Sequence, residues 1–290
     1  MLAAGGLETA LSPAIGGSLL YLALDGVDLM RRAPEGANDP LAMASFPLIP
    51  YANRIAHGRF TVKGQDYQLP LNFGDHPHSI HGFGWQTPWT AKETGPDAVR
   101  LVQTHVGDAG WPWSYRAEQR IALTPSQLSM SLSLTNVGDA PMPAGLGFHP
   151  YFLADEATTL RFDARNLWLS TSDMLPKSET PADTLGDWSR PGIVLGDTLI
   201  DNAYTGWTGP AIVERGDGLR LTLRAQGADW LHVYRPPASQ DFCLEPVSHM
   251  PDAINRGGMA MVAPGDSAQL VMTIAIDRID QTLSKSVSIA

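Results

Sequence analysis

Leu128-Ser129-Met130-Ser131-Leu132-Ser133-Leu134-Thr135 alternates apolar and polar side chains without a break, and Asn136-Val137-Gly138-Asp139 follows at once. A period of two places the four leucine and methionine side chains on one face of an extended strand. A helix would scatter them around its circumference. The Asn-Val-Gly-Asp stretch supplies turn formers that end the strand. Moving outward, Leu219, Leu221 and Leu223 alternate with Arg220, Thr222 and Arg224 just after Gly216-Asp217-Gly218. Leu270 to Ile276 is almost wholly apolar and follows Pro264-Gly265-Asp266, which predicts a strand buried on both faces. Leu19 to Leu24 reads as another strand, broken at once by Asp25, Gly26 and Asp28.

Punctuation supports the same architecture. The chain of 290 residues carries 28 glycines and 23 prolines, spread evenly, which leaves room for many short strands and few helices. No window longer than about ten residues keeps a helical i, i+3, i+4, i+7 pattern free of glycine or proline. No repeat, low-complexity tract or composition shift marks a linker. The expectation is an all-β fold, one large antiparallel sandwich over residues 1–290, with few or no helices.

Composition narrows the chemistry. With 43% hydrophobic and 17% charged residues the chain is globular, and at this length it needs no covalent or metal staple. Cys243 is the only cysteine, so no intramolecular disulfide exists, which fits a reducing compartment. A net charge of −10 and scattered basic residues argue against nucleic acid and anionic membranes as partners. The N-terminus lacks a basic leader region, and the Leu19–Leu24 run is too short for a membrane span, so the expected location is the cytoplasm. No Gly-x-Gly-x-x-Gly, Walker loop, Gly-x-Ser-x-Gly elbow or Cys-x-x-Cys is present. The chemistry therefore falls to histidine, carboxylates and arginine.

Five places carry polar residues in apolar, turn-rich surroundings. They are Asn53-Arg54-Ile55 with His57-Gly58-Arg59-Phe60; His76-Pro77-His78-Ser79-Ile80-His81-Gly82-Phe83-Gly84-Trp85; Gly145-Leu146-Gly147-Phe148-His149-Pro150-Tyr151-Phe152; Asp201-Asn202; and Phe242-Cys243-Leu244-Glu245-Pro246. A carboxylate such as Glu245 in an apolar strand is paired or functional, because burying it alone costs several kcal/mol. In this order, and with Pro251-Asp252-Ala253-Ile254-Asn255 behind the glutamate, the set resembles the aldose 1-epimerases, or mutarotases. The resemblance runs from about Pro13-Ala14-Ile15-Gly16-Gly17 to Pro264-Gly265, nearly the whole chain.

What the resemblance implies is specific. It implies a galactose-mutarotase type β-sandwich with an open cleft across one sheet, acting on a free monosaccharide without a cofactor. Glu245 would take the proton of the anomeric hydroxyl and His149 would protonate the ring oxygen. Arg54, His81 and Asp201 would hold the sugar, and Trp85, Trp89 or Tyr234 could offer an apolar face to its ring. Unperturbed pKa values of about 4.3 for glutamate and about 6.5 for histidine suit a base and an acid near neutrality. The partner expected is a neutral aldose, with the protein acting as a monomer or homodimer. Two departures weaken the choice of substrate: Phe148-His149-Pro150-Tyr151 replaces the family's commoner Asn-His-Ser/Thr-Tyr-Phe, and Gly82-Phe83 follows His81 in place of Gly-Gly.

Two other readings stay open at this level. His76-x-His78 with His81 would suit a metal-dependent, cupin-like enzyme, if a strand aimed the rings at one face. A carbohydrate-binding β-sandwich without catalysis would keep the polar cleft and have no use for the Glu–His pair.

Overall fold

The computed structural model describes residues 1–279. There the chain is built from antiparallel strands, turns and four short 3-10 segments, with no α-helix among the described residues. Nine strands form the larger sheet, in the order Thr90–Thr94, Ala98–His105, Tyr115–Thr124, Gln127–Asn136, Ser267–Arg278, Leu219–Gln226, Thr208–Glu214, Thr159–Asp163 and Gly192–Ile193. The diagnostic strand, Gln127–Asn136, lies near its centre. Leu132 faces Gln119 on one side and Leu270 on the other, and Leu128, Met130, Leu132 and Leu134 are all buried. The intervening serines are half-buried on the outer face.

Ser267–Arg278 corrects one expectation. Leu270, Met272, Ile274 and Ile276 are buried, but Val271, Thr273 and Ala275 remain half-buried. Among the described residues no layer covers the outer face of this sheet, so its strands bury one side only. Ser18–Leu24 forms a strand as expected, within a separate four-stranded sheet with Leu2–Ala4, Leu7–Ser12 and Val27–Asp28.

The second large sheet runs Pro176–Pro181, Asn166–Ser170, Ile200–Thr205, Trp230–Arg235, Asp241–Val247, Gly147–Phe148 and Pro47–Leu48, with Tyr151–Leu153 also paired to Asp241–Val247. Its inner side chains, among them Ile200, Tyr204, Leu231, Val233, Phe242 and Leu244, share one apolar core with Leu128, Leu132 and Leu270 of the larger sheet. The two sheets thus form the sandwich. The outer face of this second sheet is covered. Phe46, Leu48, Ala52, Ile80, Trp85, Tyr151, Cys243 and Val247 make a second, smaller cluster there.

Parity then decides which residues meet under that cover. Across three neighbouring strands Asp201 opposes Tyr234 and Tyr234 opposes Cys243, while Ala203 opposes His232 and His232 opposes Glu245. Because Leu231, Val233, Phe242 and Leu244 point inward, their alternates point outward together.

Candidate active site

The cover leaves a cleft of about 460 Å³ on this face, within the range of about 300–1,000 Å³ usual for small-molecule sites. Arg54, His81, His149, Asp201, His232 and Glu245 all line it. Four other cavities of 320–440 Å³ contain no histidine.

Two loops bring residues from outside the sheet. Arg54–Ile55 pairs with Ser79–Ile80, and Asn53 and His81 flank that pairing with φ values of 54° and 59°. Each stabilises the other in this left-handed conformation. The Asn53 N–H donates to His81 Nδ1 at 3.0 Å, and the His81 N–H donates to the Asn53 carbonyl at 2.8 Å. Since Nδ1 accepts, the His81 proton sits on Nε2, a donor for the cleft. Burial, helped by His149 and Arg54, holds the pKa of His81 well below the usual histidine range. Gly82 is required next: its φ is 67°, and a Cβ there would lie 2.1 Å from the Ile49 carbonyl oxygen.

Arg54 spreads its fork over three partners. It donates to Asp201 Oδ2 at 3.1 Å, to Asn53 Oδ1 at 3.1 Å and to His76 Nε2 at 3.4 Å. The other oxygen of Asp201 accepts from His232 Nε2 at 2.6 Å. Burial alone would raise the pKa of Asp201, but His232 and Arg54 together hold it well below the usual carboxylate range. Asp201 is therefore a fixed anion.

The remaining pair behaves differently. The His149 ring is stacked between Phe46 (centroids 4.6 Å) and Tyr151 (4.8 Å), and His149 Nε2 lies 3.4 Å from Glu245 Oε1. His149 Nδ1 and Glu245 Oε2 are buried without hydrogen-bond partners. Burial, with smaller contributions from His232 and Arg31, pushes the His149 pKa down to about 3. Burial and then the nearby Asp201 charge push Glu245 well above its usual range, against a smaller opposing pull from Arg54. The unperturbed values used at the level of sequence do not survive this environment. Burial thus favours the neutral form of each group, an arrangement in which the two can share one proton.

The five residues expected to form the site, Arg54, His81, His149, Asp201 and Glu245, are brought to one cleft. Tyr234 lines it as well, but Trp85 and Trp89 do not. Both indoles are buried and donate to backbone carbonyls, Trp85 to Gly82 at 2.9 Å and Trp89 to Gly84 at 2.9 Å. The His76/His78/His81 set does not converge on one point among the described residues, although the His76 and His78 rings meet with centroids 5.3 Å apart. His76 and His78 precede the short strand Ser79–Ile80 and lie outside it. The His78 ring is engaged by the His57 N–H and the Asp173 carbonyl, and His81 Nδ1 by Asn53. His149, Cys243 and Glu245 do bring donor atoms within 4.8 Å of one another, but Cys243 is fully buried and its thiol is held protonated by that burial. It packs as apolar floor beneath the cleft. His232 is the residue that sequence reading missed. Its parity between Leu231 and Val233 was the available signal.

Comparison with known proteins agrees with this geometry. The family model described as aldose 1-epimerase matches residues 2–275. Among curated proteins, the chain is 31% identical over 247 residues to the uncharacterized protein YphB of Escherichia coli (strain K12), covering 80% of this chain and 83% of that one. It is 24% identical over 216 residues to the aldose 1-epimerase of the same organism, covering 68% and 61%. Among solved structures, a candidate aldose 1-epimerase from Escherichia coli K12 superposes with a TM-score of 0.88 at 29% identity, covering 96% of this chain and 98% of that one. The chain belongs to the aldose 1-epimerase family and is an enzyme of the isomerase class.

Proposed function

We propose that this enzyme interconverts the α and β anomers of a free, neutral monosaccharide, with Glu245 and His149 moving the protons. The observation that carries the reading is the 3.4 Å approach of His149 Nε2 to Glu245 Oε1 inside a cleft, each with a second polar atom buried and unsatisfied. Buried orphans of this kind are expensive unless a ligand completes them.

The reaction starts from the cyclic sugar with Glu245 as carboxylate and His149 as imidazolium. Glu245 takes the proton of the C1 hydroxyl while His149 gives its proton to the ring oxygen. The C1–O5 bond breaks and C1=O1 forms, leaving the open-chain aldehyde. At that point Glu245 is protonated and His149 neutral. Rotation about C1–C2 offers the other face of the aldehyde, and the reverse transfers close the ring as the opposite anomer. No electrons leave the sugar and no group is exchanged.

Burial of the pair now has a clear consequence. It favours the neutral arrangement, which is the one that accompanies the open-chain aldehyde. The cleft thereby offsets part of the energy of ring opening. When the cyclic sugar binds, its anomeric hydroxyl donating to Glu245 and its ring oxygen accepting from His149 stabilise the charged arrangement instead. General base and general acid of this kind each contribute roughly 10²–10⁴-fold.

Arg54, Asp201 and the Nε2–H of His81 supply fixed donors and an acceptor for the remaining hydroxyls. Among the described residues Arg54 is the one arginine or lysine lining the cleft, and it is ion-paired with Asp201. That arrangement favours a neutral sugar over a phosphorylated one. Anomer exchange by NMR across a panel of neutral aldoses and their phosphates tests the reading. At least one neutral aldose should exchange far faster than the buffer-catalysed rate, and more efficiently than its phosphate. Exchange at the buffer rate for every sugar would overturn it.

A further inference from the structure

Arg31 does not line the cleft, yet its side chain is fixed against the ring that stacks on the acid. Its Cζ lies 3.4 Å from the centroid of the Tyr151 ring, and the same ring stacks on His149 with centroids 4.8 Å apart and planes 23° from parallel. The guanidinium is held from every side. It donates to the Leu41 carbonyl at 2.5 Å, to the Met43 carbonyl at 2.7 and 3.1 Å, and to Asp241 Oδ2 at 3.4 Å. The Arg31 backbone N–H also donates to the Tyr151 carbonyl at 3.0 Å, so cation and ring move together.

We infer that Arg31 is a positioning residue which, through Tyr151, orients the His149 ring and biases the proton shared with Glu245 towards the carboxyl group. The inference rests on the proposed roles of that pair. It follows from three features. The ring contact fixes the tilt of His149, whose other face is closed by Phe46 at 4.6 Å. A cation over an aromatic face is a stable arrangement where water is partly excluded, and the Arg31 side chain is 23% exposed. Finally, the charge disfavours a second cation nearby.

His149 faces other charged and titratable groups from each element around it. Glu245 and Cys243 come from the strand Asp241–Val247, and His232 from the strand beside it. Asp201 and Arg54 lie beyond them, and His81 approaches from the loop side with ring centroids 5.4 Å away. Tyr151 itself stays un-ionised, because burial raises its pKa. Of these, Glu245 and Asp201 favour an imidazolium while the cations oppose it. Arg31 is the cation that acts from outside the cleft, reaching it only through Tyr151 and Leu41, which line it.

The test uses the full chain with Arg31→Gln, Arg31→Lys and Asp241→Asn. Histidine ring signals are followed by NMR against pH, with that of His149 identified by its loss in His149→Asn, and the pH profile of kcat for anomer exchange is recorded alongside. A unit charge no more than about 8 Å away is worth roughly 0.5–1.5 pH units. R31Q should therefore move the His149 titration and the acid limb of kcat upward by that amount. R31K should keep both at the wild-type position. D241N leaves Arg31 unneutralised, so it should move the acid limb downward. A purely structural role predicts the opposite for D241N, because loosening the stack would admit water and raise the histidine's basicity. An unmoved titration in folded R31Q, or an upward or absent shift in D241N, overturns the inference. If R31Q does not fold, D241N and R31K decide. If no sugar is turned over, the functional reading fails, but the ring titration still judges the role of Arg31.

Discussion

Two strand faces obey the same alternation and do opposite work. On Gln127–Asn136 the buried alternates are Leu128, Met130, Leu132 and Leu134, every one apolar. On Trp230–Arg235 and Asp241–Val247 the inner alternates Leu231, Val233, Phe242 and Leu244 are apolar too, but the outer ones include His232 and Glu245, which are just as buried. The first face contributes stability through area removed from water, about 25 cal/mol per Å². The second spends stability on desolvated polar groups and gains chemistry from them. Period two tells which residues share a face, and the covering loops decide whether that face is wet, dry or reactive.

The contrast can be broken by mutation from either side. The largest effect is expected on the reactive face: Glu245→Gln should lower turnover by about 10²–10⁴-fold with the fold intact. Since a buried ionisable group is replaced by a neutral one, its denaturation midpoint should match or exceed that of the wild type. Anomer exchange and a denaturant titration together check this, and a large stability loss would show Glu245 to be a structural residue instead.

On the apolar face the signs reverse. Leu132→Ala should destabilise by about 2–5 kcal/mol, because Leu132 is fully buried in the apolar core and its truncation leaves a cavity there. Its kcat per folded molecule should stay within about twofold of wild type. A comparable loss of kcat would mean that the two faces are coupled through the core.

The pH dependence of stability sharpens the comparison further. His149 is held near a pKa of about 3 when folded, against about 6.5 in an unfolded chain. The unfolded state therefore binds more protons between those values, and stability drains away as pH falls from about 6.5. His149→Asn should remove that slope, leaving the variant less sensitive than wild type by about 2 kcal/mol between pH 6.5 and pH 4.5. Glu245, shifted the other way, contributes stability that is present below its unfolded pKa and lost as pH rises. Urea midpoints at several pH values separate the two.

The smallest expected change concerns His232. Its Nε2 donates to Asp201, so His232→Phe should loosen the carboxylate proposed to hold the sugar and raise KM by about tenfold, with kcat less affected. A loss confined to kcat would instead place His232 among the groups that move protons.

Much of this was legible in the chain itself. The alternations at 128–135 and 219–224 fixed strands and inward faces, because parity depends only on local spacing. The polar residues of the cleft were recognisable because each stands in an apolar or turn-rich setting that packing alone does not demand. Other features needed three dimensions. The run at 270–276 could not reveal that Val271, Thr273 and Ala275 on its outer face stay half-buried. Trp85 and Trp89 sit in irregular segments, where side-chain direction follows tertiary packing and not a period. His232 was overlooked for a related reason: alternation sends it away from the core, but only the loops that carry Arg54, His76 and His81 turn that face into a cleft. The reversed preferences of His149 and Glu245 likewise come from burial, which no short motif encodes.

The central claim is that one proton is shared by His149 and Glu245 and that both must be present to move it. A double-mutant cycle on kcat for anomer exchange, using His149→Asn, Glu245→Gln and the double variant, measures this directly. Groups acting as a unit give a double variant no slower than the worse single one. Losses that multiply across the two sites would contradict the shared proton and assign each residue a separate task.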